Sequence, residues 1–259
     1  MGAPLSPGHA TIGAVDLSPQ TPPVGRITGL HRYPVKSLSG EALDALTVDE
    51  RGVRGDRLWA LRDPDGKLGS GKTTRRFRRM DGLLGLSARY DVDVPVVTFP
   101  DGRSVRGDDR GIHEALSVYV GRPVTLAPEE AIAHFDEGPL HLVTTSALRT
   151  LGHVRGHAVD PRHFRPNVVL ETDGPGPVED GWVGRRLAVG AEVVLEVTAT
   201  MPRCVMVDLA QVDLPEEPGL LKAVADLNRT QLGVVADVVR PGTLAVGDAA
   251  RLVRWTFGP

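Results

Sequence analysis

From Val24 onwards the sequence is a succession of short apolar runs, and this spacing is what most constrains the fold. Runs such as "RITGLHRYPVKSL", "PVVTFPDGRSV" and "RPVTLAP" are broken every few residues by Gly, Pro or Asp. Short runs at this spacing are typical of the strands and turns of a β-barrel. The 259 residues leave room for two modest domains or one large β-rich domain.

Two segments have helical rather than strand periodicity. In "DDRGIHEALSVYVG", Ile112, Leu116 and Tyr119 fall on one helical face, and Gly121 is a stop signal. "PEEPGLLKAVADLNR" repeats its apolar residues at helical spacing and ends at or soon after Asn228. We therefore expect a few short helices among the strands.

A theme recurs in the second half of the chain. "LAVGAEVVL" at 187–195 and "LAVGDAARL" at 244–252 each predict a strand, a Val-Gly turn and a return strand. Two such hairpins suit a closed or partly closed barrel. The predicted fold is mainly β (α+β), with two β-barrel-like domains and a few short helices.

Changes in composition suggest where the domains begin and end. The first residues are rich in Pro, Ser, Gly and Ala, so we expect 1–23 to be a disordered tail. One barrel domain is expected at 24–130 and a second at 131–255, followed by a C-terminal tail at 256–259.

Composition excludes several classes of function. Cys204 is the single cysteine, which excludes an intramolecular disulfide and an iron–sulfur cluster held by four thiolates of this chain alone. The net charge of −3 gives no case for nucleic acid. No apolar run reaches the ~20 residues of a membrane span, and the N-terminus lacks the regions of a signal peptide. We expect a cytoplasmic protein with no nucleic-acid or membrane partner.

The stretch "GKLGSGKT", residues 66–73, spells a complete phosphate-loop (Walker A) motif. Its setting argues against a nucleotide loop, because Asp63-Pro64-Asp65-Gly66 reads as a hairpin turn and the arginine-rich segment after it makes a poor helix. A phosphotransferase, an exposed basic hairpin and a basic anion-binding loop of another kind are the alternatives.

Other segments carry possible chemistry, and each is weak when taken alone. Cys204 follows Arg203 where a strand is expected to open into a Pro-containing turn, and an adjacent guanidinium favours the thiolate that binds metals. Arg165 and Asn167 flank a proline before an apolar strand. Lys36 and Ser37 sit on a turn after a strand. In contrast, His153 and His157 have metal-pair spacing, but two glycines and a proline nearby make a helix there improbable.

Taken together, five segments resemble one family. "YPVKSLSG", "ERGVRGDRLWAL", "HFRPNVVLE", "MPRCVMVDL" and "GVVADVVRPGTLAVGD" look like the molybdenum-cofactor sulfurase C-terminal (MOSC) domain proteins. The first two resemble the β-barrel domain that precedes the MOSC domain in two-domain members, among them the amidoxime-reducing component and its bacterial relatives. The resemblance covers about residues 24 to 255.

The resemblance implies a molybdenum-cofactor (Mo-molybdopterin) site, with Cys204 as metal ligand and catalytic residue. The implied cofactor-binding residues are Lys36, Ser37, Arg57, Lys72, Arg75, Gly138, Thr144, Arg165, Asn167 and Arg203. Lys72 and Arg75 lie on a variable loop, so the Walker-like stretch is expected to supply cations to the pterin phosphate or to close over the metal.

The implied activity is reduction of small N-hydroxylated compounds such as amidoximes, hydroxylamines or hydroxylated nucleobases. Electrons are expected from a separate donor protein, a flavin or haem reductase chain, because this chain shows no flavin or iron–sulfur site. The alternatives are a non-catalytic cofactor carrier or a sulfur-relay protein with a persulfide on Cys204, then the phosphotransferase, then pyridoxal phosphate chemistry. Pro202, where amidoxime-reducing proteins often have Ser, is a departure from the family pattern.

Overall fold

The computed structural model of the protein describes residues 22–253. Nearly all of the tail predicted at 1–23, and the whole of the one predicted at 256–259, therefore lie outside the described residues. The described chain is mainly β, which confirms the predicted fold class.

The strands of the first half are short. They are β1 (Gly25–Arg32), β2 (Glu41–Ala42), β3 (Ala45–Asp49), β4 (Gly52–Val53), β5 (Trp59–Arg62), β6 (Leu68–Ser70), β7 (Phe77–Arg79), β8 (Ser87–Asp91), β9 (Val94–Thr98), β10 (Ser104–Arg106) and β11 (Thr125–Pro128).

The second half contains the two longest strands. Its strands are β12 (Leu140–Thr144), β13 (Val168–Glu171), β14 (Arg186–Val189), β15 (Val193–Pro202), β16 (Gln231–Arg240), β17 (Gly242–Ala245) and β18 (Ala249–Val253). The helices are α1 (Ile112–Val120), α2 (Thr145–Arg155) and α3 (Leu220–Asn228), and short 3₁₀ helices span Leu83–Gly85, Pro161–Phe164, Val178–Trp182 and Val205–Asp208.

Seven strands close into a barrel. Their order is β13-β12-β16-β15-β14-β18-β1, and β1 pairs with β13 to complete the ring. Only β12 and β13 run parallel, and α2 lies in the connection between them. Inward-facing aliphatic residues such as Leu142, Leu170, Leu195 and Val234 fill the barrel and are fully buried. This packing gives the walls of the barrel fixed positions.

The remaining sheets of the first half are smaller. One joins β11, β5, β6 and β7, one joins β10, β9 and β8, and one joins β17, β3 and β4. A second core, with Val35, Leu61, Val97 and Leu116 among its buried members, fills the space beneath α1 and the first two of these sheets, whereas the third packs on the core of the barrel. The predicted helices α1 and α3 are confirmed, with α1 ending at Gly121 and α3 at Asn228.

Two sequence predictions were wrong. The segment containing His153 is helical, because Gly152 does not break α2: a Cβ at this position would lie 3.0 Å from the His157 carbonyl oxygen, so the glycine permits close packing. Residues 244–252 do not form a hairpin. The Asp248 carboxylate accepts a hydrogen bond from the Ala245 amide (2.9 Å) in a turn that sends β17 to β3 and β18 into the barrel. The hairpin of β14 and β15 is confirmed.

The Walker-like stretch is not a phosphate loop. Gly66 has φ 77° and its amide donates to the Asp63 carbonyl (2.9 Å), so it sits in the turn between β5 and β6. Residues 71–76 then loop round to β7, which pairs with β6 in parallel. No helix begins at Lys72 or Thr73, so the amide cradle of a nucleotide loop is missing from this part of the described chain.

Candidate functional site

A cleft lies where loops of the first half meet the rim of the barrel. It encloses about 910 Å³, including the part open to solvent. Five cationic side chains and two carboxylates line it, together with a thiol, two imidazoles and an apolar wall. Its lining residues are Lys36, Ser37, Arg57, Lys72, Asp136, Glu137, Gly138, His141, His163, Phe164, Arg165, Met201, Pro202, Arg203, Cys204, Met206 and Val207.

Cys204 follows the end of β15, one of the two longest strands of the barrel. β15 ends at Pro202, and Cys204 is the residue before the 3₁₀ helix Val205–Asp208, with extended backbone. Its thiol is half-buried. The strand end fixes the backbone while the thiol lines the cleft, which is the arrangement the sequence predicts for a metal-binding or reactive cysteine.

The Arg203 side chain is tied to the protein rather than free in the cleft. Its Nε donates to the Leu232 carbonyl (2.8 Å), one terminal nitrogen donates to the Phe164 carbonyl (3.0 Å), and the other contacts His141 Nε2. Burial lowers the pKa of Arg203 to about 9. These contacts fix Arg203, the residue before Cys204, against β16 and the turn at Phe164.

In contrast to Arg203, the Arg165 guanidinium donates no hydrogen bond from its terminal nitrogens within the described structure. Its backbone is left-handed, with φ 53°, and its guanidinium stacks 4.3 Å from the centre of the Tyr33 ring. Both terminal nitrogens are buried and have no hydrogen-bond partner in the described structure. Burial also lowers the pKa of Arg165 to about 10. A buried cation without partners is costly, so the site is suited to an anionic ligand that supplies them.

Arg57 lies on the same aromatic ring. Its guanidinium is 4.9 Å from the Tyr33 ring centre, pairs with the buried Asp56 carboxylate and donates to the Arg165 carbonyl (3.2 Å). Burial acts to lower the pKa of Arg57, but the charge and hydrogen bond of Asp56, with Tyr33 and Asp136, together outweigh burial and the net pKa is raised. Tyr33 thus carries two guanidinium groups, one paired and one open.

Lys36 and Lys72 share one carboxylate. Lys36 is buried and forms an ion pair with Asp136, whose other oxygen is 3.5 Å from Lys72 Nζ. Both ammonium groups also lie over the Phe77 ring, at 4.5 Å and 5.4 Å. Burial lowers the pKa of Lys36 to about 8. Ser37, with φ 65°, turns the chain here and donates to the Gly69 carbonyl (3.1 Å).

The structure brings most of the predicted site residues into this one cleft. Those that line it are Lys36, Ser37, Arg57, Lys72, Gly138, Arg165, Arg203 and Cys204. The other three, Asn167, Thr144 and Arg75, do not line it.

Asn167 is buried behind the cleft, where its side chain accepts from the His141 amide (3.1 Å) and donates to the His31 carbonyl (3.2 Å). Thr144 caps α2 and donates to the buried Glu179 carboxylate (2.5 Å). Arg75 is exposed and lines a neighbouring cleft. Asn167 and Thr144 shape the backbone of the site instead of facing a ligand in it.

Sequence reasoning missed the acidic and imidazole groups of the cleft. Asp136 and Glu137 come from the connection before β12, and the carboxylates of "FDEGP" gave no motif signal. His141 was missed because it lies inside the apolar run of β12. Burial, with the nearby Arg203 charge, holds the pKa of His141 well below its usual value of 6.5, so this imidazole is neutral.

The histidine spacing singled out in the sequence does not make a metal site. His153 lies in α2 and His157 follows the helix end, and both line a separate cleft. Residues 22–253 hold no group of three or more His, Cys, Asp or Glu side chains placed to bind a metal ion. The same residues include no helix long and apolar enough to cross a membrane.

The donor set fits an anionic metal cofactor. A thiolate is a soft ligand suited to such a metal, and cationic side chains suit a phosphate group. Arg165, with its two buried and unpartnered nitrogens, is the residue of the described cleft best suited to bind an anion.

Several known proteins are similar to this chain over most of its length. Mitochondrial amidoxime-reducing component 1 from Mus musculus and from Homo sapiens are each 24% identical over 285 aligned positions, covering 89% of this chain and 83% of theirs. The crystal structure of the YUAD protein from Bacillus subtilis has a TM-score of 0.50 at 15% identity, covering 90% of this chain and 97% of that one. This likeness shows a shared fold.

Two family models match the chain. The MOSC N-terminal beta barrel domain matches residues 24–106, and the MOSC domain matches residues 121–251. The resemblance found in the sequence is thereby confirmed. The chain belongs to the MOSC-domain family, a family associated with binding of the molybdenum cofactor.

Proposed function

We propose that the chain binds Mo-molybdopterin in the cleft, with Cys204 as the metal ligand, and reduces small N-hydroxylated compounds. The observation that carries the proposal is the buried, unpartnered guanidinium of Arg165 in the same cleft as the half-buried thiol of Cys204. One anionic cofactor with a soft metal accounts for both features.

The cationic side chains of the cleft would bind different parts of the cofactor. Lys36, Lys72 and Arg57 would hold the phosphate, with the Ser37 hydroxyl and the Gly138 backbone beside them. Arg165 would supply two charge-assisted hydrogen bonds to the remaining polar groups. Asp136, which now pairs with both lysines, keeps the two ammonium groups together before a phosphate is present.

When bound, the cofactor supplies the two-electron chemistry of the reaction. The chain's own part is to orient and to enclose. Arg203 and its three contacts fix the backbone next to Cys204. Met201, Pro202, Met206 and Val207 form an apolar wall beside the thiol, which limits water there.

The substrate class is inferred from the relatives. The matched mitochondrial proteins are named for amidoxime reduction, and amidoximes, hydroxylamines and hydroxylated nucleobases share the N–OH group. A separate flavin or haem protein would supply the electrons, because the single cysteine of this sequence cannot build an iron–sulfur cluster.

The test is metal analysis of protein made in a host that synthesises the cofactor. We expect near-stoichiometric molybdenum in the wild-type chain and in Val205→Ala, an exposed neighbour outside the cleft. Cys204→Ala should lose the metal while remaining folded. The wild-type protein should then turn over benzamidoxime with reduced methyl viologen.

The outcomes separate the alternatives. Stoichiometric molybdenum without turnover of any N–OH compound would favour the cofactor carrier. A folded wild-type protein without molybdenum would refute cofactor binding, and a persulfide on Cys204 would then support the sulfur-relay function.

A further inference from the structure

The Walker-like loop stands on the rim of the cofactor cleft. Gly71 packs against the segment that follows Cys204: a Cβ on Gly71 would lie 3.0 Å from Met206 Cγ. Ser70 Oγ also lies 3.7 Å from Met206 Sδ. Lys72, the next residue, lines the cleft itself. The loop therefore contacts Met206, which lies two residues after Cys204, the proposed metal ligand.

On its other side the loop borders a second cleft, of about 800 Å³. Lys67, Arg75 and Arg76 line it, together with Arg62. Arg75 and Arg76 are exposed, and Arg76 donates only to the Ala133 carbonyl (2.7 Å). No ion pair or hydrogen bond is formed by the Lys67 or Arg75 side chain within residues 22–253.

Both carboxylates of the second cleft form ion pairs with arginines of this chain. Asp65 pairs with Arg78 at 2.7 Å, and Glu130 pairs with Arg62 at 3.3 Å. His134 adds no positive charge, because burial lowers its pKa to about 4. The charges left open to a partner are therefore positive.

The second cleft concentrates positive charge on one face. It is lined by four lysines and arginines against two carboxylates, although the whole chain has a formal net charge of −3. Such a separation of charge gives the face a positive potential that attracts acidic partners and orients them during encounter.

We propose that Lys67, Arg75 and Arg76, here called the basic rim, form the docking surface for an acidic electron-donor protein. The proposal rests on the proposed function, since a donor is needed only if the chain is a reductase. Docking on the basic rim brings the donor next to the segment of Cys204 and Met206. Nucleic acid fits less well, because the one aromatic ring of the loop, Phe77, is buried under Lys36 and Lys72 and cannot stack on bases.

The redox step is balanced with a one-electron donor. Each fully reduced flavodoxin gives up one electron, so two flavodoxin molecules are oxidised for each two-electron reduction of the loaded protein. Reduction of an N–OH substrate then consumes these two electrons and two protons from solvent, breaks the N–O bond and releases water.

The experiment measures oxidation of reduced flavodoxin, an acidic donor, by the molybdenum-loaded protein in anaerobic stopped flow. We expect a second-order rate constant that falls as salt is raised, because electrostatic steering is screened. Lys67→Glu/Arg75→Glu should lower it by about 10-fold or more at low salt. The matched control is Arg89→Glu/Arg110→Glu, which makes the same charge change at exposed positions that line neither cleft.

Reduced methyl viologen, a small donor that needs no docking surface, reports on the site itself. It should reduce the wild type, the rim variant and the control at similar rates. The docking proposal is overturned if flavodoxin fails to reduce a protein that viologen reduces, if salt does not slow the reaction, or if both double variants behave alike. If viologen also fails with a molybdenum-loaded wild type, the proposed reductase function is what has failed.

Discussion

The guanidinium of Arg165 stacks 4.3 Å from the centre of the Tyr33 ring and ends in two nitrogens that are buried and unpartnered. Arg57 lies 4.9 Å from the same ring centre. The N-terminal half of the chain supplies the ring and Arg57, and the barrel half supplies Arg165. The cationic end of the cleft thus exists only when the two halves are packed together.

Arg165 is expected to trade stability for binding. Arg165→Met removes a buried charge that lacks partners, so we expect the cofactor-free protein to become more stable by about 1–3 kcal/mol. The same variant should lose most of its molybdenum. Urea unfolding of the cofactor-free chain and metal analysis measure the two effects. A cofactor-free variant less stable than the wild type would show that the guanidinium is already well solvated.

The Tyr33 ring is expected to act as a platform, and its hydroxyl to matter less. Tyr33→Phe keeps the ring and loses only a long hydrogen bond to the Pro166 carbonyl (3.3 Å), so its molybdenum content should match the wild type. Tyr33→Leu removes both cation–ring contacts, each worth about 0.5–2 kcal/mol, and should lower stability and metal content. Equal metal content in the two variants would contradict this role.

Cofactor retention should depend on the charge of Lys36. Burial lowers the pKa of Lys36 to about 8, so the ammonium loses its proton as pH rises through that value, and its attraction for a phosphate is lost with it. We expect molybdenum to be retained on gel filtration at pH 7 and progressively lost toward pH 9. The control, Lys222→Met on the exposed face of α3, should follow the wild-type profile. Equal retention by the wild type at both pH values would argue against a phosphate at Lys36.

Glu179 should make the fold sensitive to pH. It is fully buried, and burial raises its pKa above the usual 4.5 even though Thr144 donates a hydrogen bond to it (2.5 Å). The folded chain then holds a proton that the unfolded chain releases, so the contribution of Glu179 is favourable below pH 4.5 and is lost as pH rises through the raised folded pKa. Glu179→Gln keeps an acceptor for Thr144 without the charge.

The stability of Glu179→Gln relative to wild type should therefore grow from pH 4 to pH 8 in urea titrations. The exposed Glu216→Gln should show no such trend. A constant difference across this range would mean that the folded pKa of Glu179 is near its ordinary value.

The sequence was most informative where local chemistry is concentrated in a few adjacent residues. Arg203-Cys204, Arg165 before its proline, and the Lys36-Ser37 turn were all predicted from short motifs, and all line the cleft. Asp136 and His141 were not, because a carboxylate in a connecting loop and a histidine in an apolar strand resemble ordinary surface and core. Their role arises only from what the fold places opposite them.

The two wrong predictions of secondary structure have a similar cause: contacts between residues distant in sequence decided the outcome. In the sequence, Gly152 looks like a helix breaker. In the folded structure, it allows the helix to pack closely against the His157 carbonyl. β17 and β18 have the spacing of a hairpin, but each pairs with strands distant in sequence. β17 pairs with β3, and β18 pairs with β14 and β1. Long-range pairing overrides a local turn signal.

The closure of the barrel by β1 has a consequence for synthesis on the ribosome. β1 pairs with β13 and with β18, so Gly25 finds its partner Ala250 only after more than two hundred further residues have been made. Until then the first strand presents an open edge, and an open edge can pair with another chain. A chain cut in the connection before β12 would leave the C-terminal fragment, which holds the other six strands of the ring, with an unsealed barrel. The two halves of this protein are therefore expected to fold as one unit.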